Sequence, residues 1–84
     1  METRVLLDVL KELRSEAGLT QAQCSKELGR PQSFMSDVER GVRRVDLVQM
    51  RDLCNVFGVG LRTLVRRFEA ELERLRADGT DEEE

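Results

Sequence analysis

The sequence predicts an all-α fold of five helices, and three observations carry the prediction. Apolar residues recur at helical spacing in segment after segment as far as Leu75. One proline and six glycines punctuate the chain, too few breakers for a loop-rich or all-β protein. Two stretches, Thr20-x-x-Gln23 and Asp46-x-x-Gln49, have the side chains of a capping box at the right distance. At 84 residues the chain has room for one compact core and no second domain.

The first helix is expected over about Thr3 to Ala17, with Val5, Leu6, Val9, Leu10, Leu13 and Ala17 inward. Gly18 stops it. Thr20 caps the second helix, whose buried side is Ala22, Cys24 and Leu28. Gly29 follows as a residue tolerant of positive φ, and Pro31 suits the first turn of a third helix ending at Gly41. Val42 to Val45 form a basic loop. Asp46 caps a fourth helix with Leu47, Met50, Leu53, Cys54 and Phe57 on one face. Gly58 and Gly60 interrupt the chain before a fifth helix begins near Leu61. The whole divides into a domain over residues 1–77, with its C-terminal helix over about 61–77, and an acidic, disordered tail over 78–84.

Two short helices joined by a tight turn, from Thr20 to Gly41, have the outline of a helix-turn-helix. The second of them sets Gln32, Ser33, Ser36, Asp37 and Arg40 on one flank and Phe34, Met35 and Val38 on the other. Gln and Ser both donate and accept hydrogen bonds, as base edges require, while Arg40, Arg43 and Arg44 bracket the helix with charge suited to phosphates. The competing reading of such a flank is plain solvated surface. The net charge of −3 speaks against nucleic acid only until it is placed along the chain. Asp78 to Glu84 hold five acids and no base, and the segment from Lys26 to Arg67 carries nine basic residues against five acidic ones.

The order of elements, with LKELRSEAGLTQAQCSKELG followed by RPQSFMSDVERG, resembles the lambda-repressor and Cro-like (XRE-type) helix-turn-helix family over roughly Leu6 to Phe68. Gly-Leu-Thr-Gln before the first motif helix and Ser-x-x-Glu-Arg-Gly at the end of the second carry the likeness. It implies a compact lambda-repressor-like DNA-binding domain whose third helix lies in the major groove of double-stranded DNA. It also implies a phosphate contact for Gln21, base reading by Gln32, Ser33 and Asp37 with Ser36 on or near the same face, and backbone contacts for Arg40, Arg43 and Arg44. Arg14 and Glu39 match a salt bridge tying the first helix to the recognition helix. Arg30 departs from the pattern, standing where an apolar residue is usual; it reads either as a further backbone contact or as solvated surface. Asp37 departs too, and either accepts from cytosine N4 or pairs with a neighbouring Arg. Ser25 stands where the family favours a small residue.

Leu61, Val65, Phe68, Leu72 and Leu75 repeat at heptad spacing, which predicts a homodimer through a short parallel coiled coil with Glu71 and Arg76 pairing across it. The alternative is that Leu61, Leu64 and Phe68 close the monomer core. Two copies would set recognition helices about 34 Å apart on a near-palindromic operator. The expected function is a sequence-specific transcriptional regulator, a repressor. An antitoxin that also masks a toxin or another protein partner, and a protein-interaction module without DNA binding, remain the alternatives. No His, no activated Cys and no phosphate-cradling glycine loop support an enzyme, a metal site or a cofactor. Cys24 and Cys54 read as buried free thiols of a reducing compartment, hence a cytoplasmic protein with no membrane segment.

Overall fold

The computed structural model describes residues 1–79. Those residues form five helices and no strand: α1 (Glu2–Glu16), α2 (Gln21–Glu27), α3 (Phe34–Glu39), α4 (Leu47–Phe57) and α5 (Leu61–Gly79). Helix α1 packs on α3 and α5, α2 on α3 and α4, and α4 on α5. Leu10, Leu13, Cys24, Met35, Val38, Leu53 and Cys54 are almost wholly enclosed between them. Each fully buried aliphatic side chain contributes about 2 kcal/mol, so α1 alone, through Val9, Leu10 and Leu13, anchors much of the domain. Burial pushes both cysteine thiols above their ordinary value, which suits packing and not reactivity.

Local chemistry sets the helix boundaries. Thr20 Oγ1 accepts from the Gln23 N–H at 3.1 Å, and Gln23 Oε1 accepts from the Thr20 N–H at 2.8 Å. Asp46 and Gln49 make the same reciprocal pair at 2.8 Å in both directions. Two helix ends lead into the arginine-bearing loops. After α2, Gly29 takes φ 68° while the Arg30 N–H reaches back to the Ser25 carbonyl at 2.9 Å. After α3, Gly41 takes φ 81° while the Val42 N–H reaches the Asp37 carbonyl at 3.0 Å. Both are Schellman turns, and they direct those loops off their helices.

Several inward assignments change. In α1, Leu7 is buried, Leu6 only half-buried and Ala17 exposed; Ala22 on α2 is exposed as well. On α2 the inner face is instead shared by Cys24 and Ser25, both fully enclosed. The third helix is shorter than expected: Gln32 and Ser33 form the turn ahead of it, with Ser33 as its N-cap.

The largest change concerns α5. Its helix includes Asp78 and Gly79, past the expected bound at 77, and Arg74 lies 3.6 Å from Asp78 along it. Only the first two residues of the expected acidic tail are therefore described; residues 80–84 lie outside the described part. Leu64 is the fully buried residue of α5, and Leu61 packs against the same core. Phe68, Leu72 and Leu75 are half-buried, leaving Val65, 48% exposed, as the open member of the heptad stripe. Part of the stripe is thus taken up within its own chain, where α5 lies against α1. Arg67 clasps the two, 2.7 Å from Glu16 and 3.8 Å from Glu12. Glu71, expected to pair with a partner across a dimer, is engaged by Arg74 one turn along its own helix.

Candidate nucleic-acid interface

Three polar contacts fix α3 relative to the helices beneath and beside it. Ser25 Oγ, fully buried, accepts from the Met35 N–H at 3.0 Å and donates to the Gln32 carbonyl at 3.3 Å. This one hydroxyl stitches α2 to the start of α3 and satisfies a buried backbone donor that alanine would leave unpaired. Arg14 donates to Glu39 through Nε at 2.6 Å and through Nη2 at 3.2 Å, a two-pronged contact between α1 and α3. Gln21 completes the cluster from α2, its Nε2 donating to Glu39 Oε1 at 2.8 Å. The guanidinium of Arg14 is held above its ordinary value, chiefly by the hydrogen bond to Glu39.

With α3 so held, the residues expected to face DNA fall into three groups. Gln21, Ala22, Gln32, Ser33 and Ser36 line a shallow depression of about 360 Å³ between the start of α2 and the start of α3. Ser33, one of the lining residues, makes no capping bond with its side chain. Gln21 is the exception, since its amide already serves Glu39. Next along the flank, Asp37 and Arg40 pair at 2.7 Å. Of the two roles open to Asp37, the pairing with a neighbouring Arg is the one formed here.

The third group is basic. Arg30 follows the turn after α2, and Arg43 and Arg44 follow α3; all are exposed. None of the three makes an ion pair with a carboxylate among the described residues. The guanidinium carbons of Arg30 and Arg43 lie 4.9 Å and 5.1 Å from the centroid of the Phe34 ring. Arg43 and Arg44 also rim an apolar groove of about 250 Å³ between the loop and α1, floored by Leu7, Leu10, Val38 and Met50.

The contacts that sequence reasoning missed are those of Ser25, Gln21 and Phe34. Ser25 left one trace, a polar residue beside Cys24 on the inner side of an amphipathic helix. Gln21 and Glu39 lie 18 residues apart and left none; Arg30 and Arg43 lie near Phe34 in the chain, but the turns at Gly29 and Gly41 decide whether they reach its ring.

Two short helices at a glycine turn, clamped to a three-helix support, define a helix-turn-helix domain. A family model described as "Helix-turn-helix domain" matches residues 5–68. An XRE-family like protein from Pseudomonas syringae pv. tomato str. DC3000 is 41% identical, with a TM-score of 0.76 over 83% of this chain and 85% of that one. The clp gene regulator ClgR from Corynebacterium glutamicum shares the fold at 17% identity, with a TM-score of 0.79 over 93% of this chain and 83% of its own. No curated protein matches. The chain belongs to the XRE family of helix-turn-helix DNA-binding regulators. No helix among the described residues is long and apolar enough to cross a membrane.

Proposed function

We propose that this protein is a sequence-specific, double-stranded DNA-binding transcriptional repressor of the cytoplasm that acts as a homodimer on a near-palindromic operator. The observation that carries the reading is the polar depression at the start of α3, flanked by arginines that no carboxylate engages among the described residues. Gln32, Ser33 and Ser36 offer donors and acceptors to base edges in the major groove. Arg30, Arg43 and Arg44 neutralise adjacent backbone phosphates and set the register. Arg40 joins them once its pairing with Asp37 yields to a phosphate. The Gln21 amide stays with Glu39, and Gln21 meets the backbone through its main-chain N–H.

Selection of bound duplexes from a random pool tests this directly. Two half-sites with centres about 10–10.5 base pairs apart support the dimeric reading. Enrichment of a lone half-site removes the dimer and keeps the specificity. Absence of binding at low salt by a folded chain removes DNA binding altogether. For the dimer, Val65→Glu is the cleanest probe, because Val65 is the stripe residue least used by its own core. Dissociation of a wild-type dimer by this change in sedimentation supports an α5 interface; identical sedimentation of a wild-type monomer overturns it.

A further inference from the structure

Phe34 is a core residue, 5% exposed, yet two guanidiniums from different loops converge on its ring. Arg30 leaves α2 through the Gly29 turn, and Arg43 leaves α3 through the Gly41 turn. An aromatic face attracts a guanidinium, so each contact is favourable taken singly. Taken together they bring two like charges no farther apart than the sum of the two centroid distances. No carboxylate among the described residues makes an ion pair with either. Asp52 lines the small crevice beside Arg30 and Phe34 but stays outside ion-pair distance. The ring therefore holds a concentrated positive site whose counter-charge is missing from the described chain.

We propose that Phe34 is a positioning residue that holds Arg30 and Arg43 as a preformed guanidinium pair for backbone phosphate diesters of duplex DNA. The proposal rests on the DNA-binding function proposed for this chain and deepens it, giving an inward-facing aromatic a part in affinity. A planar guanidinium already laid on a ring loses less freedom on meeting a phosphate than a mobile one. It also accounts for Arg30, which follows the motif turn where an apolar residue is usual: its stem and ring contact cover Phe34 while its charge stays at the surface.

The test is a mutant cycle on the full chain, with binding measured to the enriched duplex over a range of salt. Arg30→Gln with Arg43→Gln makes the slope of log K against log salt shallower by roughly 1.8, two phosphate contacts' worth. Phe34→Leu keeps an apolar side chain and removes the ring; it weakens binding on the order of tenfold, through two side chains that must now be ordered on binding. In the Arg30→Gln, Arg43→Gln background the same Phe34→Leu change has no further effect, and Phe34→Tyr retains wild-type affinity. Equal loss from Phe34→Leu in both backgrounds overturns the proposal and leaves Phe34 as core alone. Should Phe34→Leu fail to fold, the wild-type chain decides by nuclear magnetic resonance. Upfield ring-current shifts of the Arg30 and Arg43 δ-protons support the pair, and random-coil values overturn it. Failure of the wild-type chain to bind any duplex at low salt overturns the DNA reading itself. Tight binding that ignores Phe34 overturns this proposal only.

Discussion

Removing the Glu39 carboxylate should be the most damaging single polar change in the domain. Glu39→Ala takes away the acceptor of Arg14 Nε, Arg14 Nη2 and Gln21 Nε2, at 2.6, 3.2 and 2.8 Å. The two charged side chains are only 12% and 5% exposed, so Arg14 is left charged with little water to replace its partner. Breaking a buried pair in this way costs about 3–5 kcal/mol. Arg14 keeps its bond to the Leu19 carbonyl at 2.8 Å, which places the loss near the lower end, about 3 kcal/mol. For a domain of this size each kcal/mol lowers the midpoint by about 4–8 °C, giving a fall of about 12–24 °C. Thermal unfolding followed by circular dichroism reads it. The control is Glu12→Ala, which removes an exposed 3.8 Å contact with Arg67 and costs under about 1 kcal/mol. The double change Arg14→Met, Glu39→Leu strands no charge and should recover most of the loss. Equal melting losses for Glu39→Ala and Glu12→Ala would refute the reasoning.

Three further outcomes rest on single contacts. Gly41→Ala should destabilise more than Gly18→Ala in urea unfolding: both hold positive φ, but a Cβ at 41 meets Leu7 Cδ1 at 3.1 Å whereas at 18 it meets nothing within 4 Å. Ser25→Ala should cost about 1–3 kcal/mol by the same measurement, since the buried Met35 N–H loses its acceptor; a neutral change would show that the hydroxyl is dispensable. The hydrogen bond from Arg67 holds the Glu16 carboxyl below its ordinary 4.5, so stability present above that pH is lost as the pH falls through the lower folded value. Arg67→Met should therefore flatten the acid side of a melting-temperature profile from about pH 4.5 downward, and an unchanged profile would show the pair to be inert.

What could be read from the sequence was whatever the chain decides within a few residues. Thr20 with Gln23, Asp46 with Gln49, and glycines after α2 and α3 are local devices, and they placed the helices. The inward Phe34, Met35 and Val38 followed from periodicity. The same logic misjudged Ala17, Ala22 and Leu47, because an apolar side chain at the end of a helix can satisfy a periodic pattern without being needed by the core. For the fifth helix it left two readings open. A 4-3-4-3 apolar stripe marks a helix that lies along another helix, and spacing alone does not say whether that neighbour is a second copy or α1. Arg67 ties α5 to α1 through contacts more than fifty residues distant that no local window contains. The Gln21–Glu39 bond is hidden for the same reason, and the convergence of Arg30 and Arg43 on Phe34 because two turns must first direct both arginines to one ring. Both exist only in the assembled domain.

That assembly also resolves the tension between an acidic chain and an anionic target. On α1 and α5, Glu12, Glu16 and Glu71 are engaged by Arg67 and Arg74, so those acids are balanced where they stand. On α3, Asp37 offsets Arg40 at 2.7 Å, which leaves the middle of the proposed reading surface close to neutral and lined with groups that both donate and accept. Arg30, Arg43 and Arg44, which make no ion pair among the described residues, stand beside it, the first two over the same Phe34 ring. Screening falls off over about 8 Å at physiological salt, so a phosphate beside Arg43 responds to its immediate neighbours far more than to the net charge of the chain. The arrangement separates two tasks that a uniformly basic helix would merge. Salt dependence should track these arginines, and sequence preference should track Gln32, Ser33 and Ser36. Neutralising Asp37 by Asp37→Asn frees Arg40 in the middle, and should raise affinity for any duplex while narrowing the margin between the operator and random DNA.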